Sequence, residues 1–261
     1  MESCATGEVP MSNGDKFTKN SKNGGKSGDM ESRPYARLIG SLMYAQVCTR
    51  PDLSFALGIL SRFQLNPTDQ HWVAGKKILR YLQKTKSHML VYKKVENLEL
   101  LGYTDLDFVG NYPNSMKSTC GYVFMLAGGV VAWKTMKQKL IATSTMQAEY
   151  IAVYEGVCEG LWIKNFLMQT KVLKSIVSGG LKIFCDNEAA VFFAKNSKRS
   201  NNSKHIDLKY YSVRQRVDFG DIEVLNIDTE AQLADPFTKA LTVASFQKRI
   251  KNLGILSQLD A

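Results

Sequence analysis

The sequence predicts a layered α/β fold, and three observations carry that expectation. After residue 97, short apolar strand patterns and longer helical ones alternate: three strands, helix, strand, helix, helix, strand, helix. Before residue 97 the patterns are helical throughout. The composition, 44% hydrophobic and 22% charged over 261 residues, lets such a chain bury a core. Strands that meet early, with helices following, make a sheet covered by helices.

Residues 12–33 are mostly Gly, Ser, Asn and Lys, with Phe17 and Met30 as the larger apolar side chains. Such a stretch cannot offset its ordering entropy, so residues 1–33 are expected to form a flexible basic segment. Pro34 suits a first helical turn, and Leu38, Leu42, Met43, Ala45 and Gln46 begin a 3.6-period face. Pro51 opens a second helix with Leu53, Leu57, Leu60 and Phe63. Asn66-Pro67-Thr68 marks the boundary before a third, where Trp72, Ile78, Leu79 and Leu82 share a stripe. Residues 34–96 are thus a small helical unit.

Strands are expected at Leu98–Thr104, Gly121–Leu126 and Val130–Lys134, with Gly128-Gly129 as a hairpin turn. Leu140–Thr143 extends or follows the third of them. Ser144-Thr145 starts a long helix to about Gln169, in which Tyr150, Val153, Val157, Leu161 and Leu167 repeat at helical spacing. Leu181–Cys185 reads as a buried strand, Asn187–Lys195 as a helix and His205–Phe219 as a helix ended by Gly220. Ile222–Ile227 is a strand and Gln232–Leu241 a last helix. The domain so outlined spans 97–241, and 242–261 is a tail.

Charge and cysteine usage narrow the function classes. The net charge of +10 suits an anionic partner without naming it. Lys76, Lys77, Arg80, Lys84, Lys86, Lys93 and Lys94 follow one another with no acid between Asp69 and Glu96. That run is a solvated helix face or a surface tracking a nucleic-acid backbone, and both readings stay open. The five Cys are odd in number and form no Cys-x-x-Cys pair, which argues against a disulfide framework or a zinc ribbon and for a reduced, intracellular protein. The longest apolar run, Gly121 to Trp133, is too short for a bilayer, so no membrane role is expected.

Four carboxylates fall at element ends. Asp105 follows the first strand, Glu149 lies in the first turns of the long helix, Asp186 follows Ile183-Phe184-Cys185, and Asp235 opens the last helix. Singly, each has a plain explanation as a helix cap or turn residue. Together, on adjacent strand ends and facing helices, they would repel unless a cation neutralised them. Oxygen ligands without paired His or Cys favour Mg²⁺, with Mn²⁺ as the substitute, and two such ions serve phosphodiester hydrolysis. Asp107 reads as an exposed loop acid, and Glu155 and Glu159 as solvent-facing. The isolated His71, His88 and His205 offer no ligand pair, and there is no Gly-x-Ser-x-Gly elbow or P-loop.

At these residues the chain resembles the C-terminal part of the Pol polyprotein of copia-type retrotransposons. The likeness includes Lys16-Phe17, Leu38 to Tyr44, Thr49-Arg50-Pro51-Asp52, His71-Trp72 and Leu79-Arg80-Tyr81-Leu82, which look like the end of a reverse transcriptase and its connection. It continues through Tyr103-Thr104-Asp105, Ser118 to Tyr122, Ser144-Thr145, Ala148-Glu149-Tyr150, Cys185-Asp186-Asn187, Lys204 to Asp207, Ala234-Asp235-Pro236 and Thr238-Lys239. These are similar to the family's ribonuclease H domain. Gln147 and Gln215 stand where the family usually has acids, and Asn111 also departs from it.

The resemblance implies a ribonuclease H-like mixed sheet flanked by helices at 97–241, preceded by a helical remnant of the reverse transcriptase connection. It places Asp105, Glu149, Asp186 and Asp235 on the family's metal-binding acids. Asp105 would bridge two Mg²⁺ ions, Glu149 and Asp186 would complete one site, and Asp235 would hold the other. The expected partner is an RNA–DNA hybrid, alongside other reverse transcriptase parts. Lys76, Lys77, Arg80, Lys134, Lys137, Lys139 and Lys204 are candidate phosphate contacts. No Asp-Asp pair occurs, so the polymerase site is missing and the chain is expected to be a fragment or truncated copy. A catalytically silent, nucleic-acid-binding remnant is the alternative.

Overall fold

The sheet is built where the apolar alternation demands it. In the computed structural model, residues 6–15, 17, 30, 32–108, 117–170, 179–196 and 204–257 are described, apart from the side chains of 204–208 and 210. Strands β2 (Leu101–Asp107), β3 (Thr119–Leu126), β4 (Gly129–Lys137), β5 (Leu181–Cys185) and β6 (Ile222–Asn226) form a five-stranded mixed sheet in the order β4-β3-β2-β5-β6. The β4–β3–β2 side is antiparallel, and β5 and β6 run parallel to β2. Chain order β2, β3, β4 and then a crossover back to β5 places β2 and β5 side by side in the centre. This is a mixed sheet flanked by helices, as the motifs imply.

One face is covered by α4 (Thr145–Gln169), α5 (Glu188–Lys195) and α6 (Lys204–Asp218). Helix α4 spans the range its periodicity gives, with Ser144 accepting a cap bond from Gln147 N at 3.2 Å. Its buried stripe includes Ala148, Ala152, Gly156 and Gly160, four residues apart along one side. A Cβ on Gly156 would lie 2.5 Å from Thr104 Cγ2, and one on Gly160 would lie 2.6 Å from Leu181. Small residues therefore let this helix settle close against β2 and β5.

The other face carries the N-terminal helices α1 (Tyr35–Cys48), α2 (Ser54–Leu60) and α3 (Asp69–Lys84), together with α7 (Val243–Asn252). Their buried Ile39, Leu53, Leu57, Leu60 and Ile78 share one apolar cluster with Val123, Val130, Phe237 and Phe246. Truncating a fully buried Phe such as Phe237 typically costs about 3–5 kcal/mol, the scale of what this shared core contributes. Strand β1 (His88–Leu90) pairs antiparallel with β7 (Ile255–Ser257), so the segment after α3 and the segment after α7 meet in a ribbon. Among the described residues, no helix is long and apolar enough to cross a membrane.

Several expected boundaries differ. Strand β2 starts later and runs through Asp105 to Asp107, because Asp105 pairs in register with Gly121 of β3. The hairpin turn is Ala127-Gly128, with φ of 52° and 78°, rather than Gly128-Gly129. Gly129 belongs to β4, where Val91 O and the Tyr92 ring leave no room for a Cβ. The expected helix Gln232–Leu241 is replaced by short 3₁₀ turns at Thr229–Ala231 and Asp235–Phe237, the second containing Pro236. The tail carries α7 and β7: Thr242 caps α7, and Phe246, Ile250, Leu253 and Ile255 bury an apolar face.

In the N-terminal segment, Met11 and Phe17 are buried, Phe17 stacking on His71 at 5.3 Å between ring centres. Asp15 pairs with Lys77 and Glu8 with Lys84. Such half-exposed ion pairs contribute about 0–1 kcal/mol each, so the buried Met and Phe hold this strap more than its charges do. Most of residues 16–31, over which flexibility is expected, lies outside the described residues.

Because one apolar cluster spans both sides of residues 96/97, a chain starting at 97 loses half of that core and the partner of β7. Its melt, followed by far-UV circular dichroism, should be lost or fall well below that of the whole chain. Equal, equally cooperative melts would show the region from residue 97 onward to be self-sufficient.

Candidate active site

Four elements converge beyond the ends of β2 and β5. Asp105 projects from β2 and is 1% exposed; Asp235, in the 3₁₀ turn, and Glu149, on α4, are buried as well. Asp186 follows β5 and is half-buried. The plain explanations fail for the two caps: Asn187 caps α5, its side chain accepting from Ala190 N at 3.0 Å, and the turn at Asp235 has no side-chain cap bond. Asp105 sits inside a strand, so it closes no turn.

The supporting bonds fix this geometry. The Thr238 hydroxyl donates to Asp105 Oδ2. Gln232, fully buried, donates from Nε2 to Thr104 O at 3.0 Å and accepts from Ala234 N at 3.1 Å, tying the 229–238 segment to β2. Gly121 gives that segment its seat, since a Cβ there would lie 2.7 Å from Phe237 Cβ. Thr229 Oγ1 donates to Asp186 Oδ2 at 3.2 Å. Arg249, 5% exposed on α7, holds Asp235 Oδ2 from Nε at 2.9 Å and from a terminal nitrogen at 2.5 Å. Its remaining bonds reach Thr229 O and Glu230 O. Lys239 Nζ lies 2.7 Å from Asp235 Oδ1 and 3.6 Å from Asp105 Oδ2.

Burial raises the Asp105 carboxyl to about 7; Lys239 pulls it down while Asp235 pushes it up. Burial, then the neighbouring Asp105 and Asp186, raises Glu149 to about 9. These shifts are what like charges in a poorly hydrated place produce when too few cations face them. Glu149, Cys185 and Asp186 offer ligand atoms within 4.8 Å of one another. The Cys185 thiol donates to Glu149 Oε2 at 3.9 Å, and burial with that carboxylate holds it well above its ordinary pKa. It therefore stays a thiol beside an all-oxygen donor set, which suits a hard cation such as Mg²⁺ or Mn²⁺.

The remaining candidates scatter. Asp107 ends β2 half-buried, with its pKa raised by burial against the pull of Lys239, rather than standing in an exposed loop. Glu155 pairs with Lys209 at 2.8 Å and Glu159 accepts from the Tyr122 hydroxyl at 2.9 Å, so neither simply faces solvent. Lys134 and Lys139 are exposed on and after β4, while Lys137 is half-buried. Lys76, Lys77 and Arg80 are half-buried on α3, where Lys77 is engaged by Asp15. Lys204 opens α6, but its side chain and that of His205 lie outside the described residues.

Sequence reading missed Arg249, which lay in the expected tail, and left Lys239 without a role. The available signal for Lys239 was its place one helical turn after Asp235.

No protein-family model matches the chain. The retrovirus-related Pol polyprotein from transposon TNT 1-94 of Nicotiana tabacum is 41% identical over 223 residues, covering 85% of this chain. The Pol polyprotein from transposon RE2 of Arabidopsis thaliana is 36% identical over 248 residues, 95% of this chain. In both cases the chain spans 16% of the relative's length. Among solved structures, RNase H1 from the halophilic archaeon Halobacterium salinarum aligns with 17% identity and a TM-score of 0.38, over 53% of this chain and 93% of that one.

The raised acids make a testable pH signature. Folded Asp105 and Glu149 bind protons more tightly than unfolded carboxyls, so their contribution to metal-free stability is full below about pH 4. It is lost as pH rises through about 7 and 9. Melting temperature in EDTA should therefore fall between about pH 5 and pH 9, and Mg²⁺ should flatten that fall. An identical profile with and without Mg²⁺ would contradict a cation site here.

Proposed function

The chain belongs to the family of Pol polyproteins of copia-type retrotransposons, and from that membership we propose that it is a ribonuclease H-type endonuclease cutting the RNA strand of RNA–DNA hybrids. The observation that carries this reading is the convergence of Asp105, Glu149, Asp186 and Asp235, with the helix-capping roles taken by other residues. Residues 97–241 would be the ribonuclease H-like domain and 34–96 the remnant of the reverse transcriptase connection.

Bound there, two Mg²⁺ ions, with Mn²⁺ as substitute, would supply an activated water and steady the leaving oxygen of a phosphodiester. Asp105 would serve both positions, Glu149 and Asp186 would complete one, and Asp235 the other. Arg249 and Thr238 keep the carboxylate oxygens of Asp235 and Asp105 aimed while the site is empty of substrate. Glu149 would also orient the scissile strand through its ribose 2′-hydroxyl, the group that separates RNA from DNA. Lys134, Lys137, Lys139 and Lys204 would contact phosphates. The Lys76, Lys77 and Arg80 face would join them once Asp15 releases Lys77. Other reverse transcriptase parts of the element would be its partners.

Replacing Asp105 by Asn tests the reading because it keeps shape and removes charge. Metal-dependent cleavage of a labelled hybrid should fall by at least ~10²-fold. Melting temperature without metal should hold or rise, since one of four repelling carboxylates is gone. Undiminished cleavage by Asp105→Asn would overturn the assignment and leave a nucleic-acid-binding remnant as the better reading.

A further inference from the structure

Among the described residues, Lys239 is the one group that faces both Asp105 and Asp235 with opposite charge. Its side chain is 35% exposed, whereas those of the two carboxylates are 2% exposed, so the ammonium enters from the rim toward buried partners. The contact to Asp235 Oδ1 is an ion pair without an aligned hydrogen bond, which makes it replaceable. The opposite oxygen, Oδ2, is held differently: Arg249 is 5% exposed and anchored to backbone carbonyls as well. One carboxylate thus has a buried, backbone-anchored cation on one side and a partly exposed one on the other.

We infer that Lys239 is the resident counter-cation of this site: its ammonium holds Asp105 and Asp235 together in the metal-free protein and yields that place when a divalent cation binds. The inference rests on the two-metal reading and adds a role for a residue that reading does not use. Charge balance supports the exchange. Lys239 and Arg249 are the positive side chains paired with Asp105 and Asp235 in the metal-free state. Two divalent ions would cancel all four carboxylates on their own, with Arg249 still in place, so the ammonium becomes surplus. Lys239 Nζ lies 2.7 Å from Asp235 Oδ1 and 3.6 Å from Asp105 Oδ2, within the space that an incoming cation would occupy. Lys239 is a positioning residue in this scheme, acting through the two carboxylates.

Isothermal titration of Mn²⁺ and of Mg²⁺ into the whole chain, without nucleic acid, tests the exchange on wild type, Lys239→Gln and Lys239→Arg. A positive charge within 4 Å of the carboxylates competes strongly with an incoming cation, so Lys239→Gln should bind the metal roughly tenfold tighter or more. Lys239→Arg keeps the charge and should stay near wild type. In EDTA, Lys239→Gln should melt lower than wild type, and Mg²⁺ should close that gap. A lysine that only braces the fold would lower the melt equally with and without Mg²⁺ and leave the metal affinity unchanged, which overturns the inference while leaving the metal site intact. Absence of saturable metal binding in folded wild type would instead overturn the two-metal reading, and the inference would fall with it.

Discussion

The mutual repulsion of four carboxylates in a poorly hydrated cleft is the constraint on which the rest of this structure depends. Burial and like charge drive Asp105 and Glu149 far from the ordinary carboxylate range. A chain relieves such a cluster by letting it drift apart, by protonating it or by supplying cations. Here drifting apart is prevented. Helix α4 is pulled onto β2 by its small-residue stripe, Gly121 seats the 235–238 turn, and Gln232 stitches that turn to Thr104. The fold therefore gathers acids at one point, where protonation of Glu149 and the cations Arg249 and Lys239 offset their charge.

That arrangement extends the site beyond the sheet. Arg249 lies on α7, whose neighbour β7 pairs with β1, and β1 follows the N-terminal helices. Phe246 of the same helix packs edge-on against Tyr81 of α3 with 6.0 Å between ring centres. The geometry of Asp235 is thus tied mechanically to the helical unit that precedes the sheet.

The elements set by local signals were legible in the sequence. Helix α4 and strand β5 span the ranges their periodicity and caps give, whereas Asp105, expected just after a strand, lies inside β2, and Asp235, expected to open a helix, lies in a 3₁₀ turn. What stayed illegible was decided by tertiary contacts. No local signal says that Gly129 must pair in a strand because Val91 and Tyr92 press on it, or that residues 232–241 exchange a helix for turns braced by Gln232 and Thr238. Arg249 was hidden because a cationic residue in a short amphipathic stretch looks like solvated surface until its partner is placed 2.5 Å away. The basic run on α3 shows the same limit: read alone it is a solvated face or a phosphate track, and only the fold brings Asp15 and Glu8, distant in sequence, to lie upon it.

The most direct measurement is cleavage of an RNA–DNA hybrid carrying separate labels on its two strands, by the purified whole chain, in Mg²⁺ and in EDTA. Shortening of the RNA strand alone, in Mg²⁺ and not in EDTA, is the result predicted by four acids assembled to hold divalent cations. An intact RNA strand after incubation with folded protein that demonstrably binds Mg²⁺, or equal cleavage in EDTA, would contradict it.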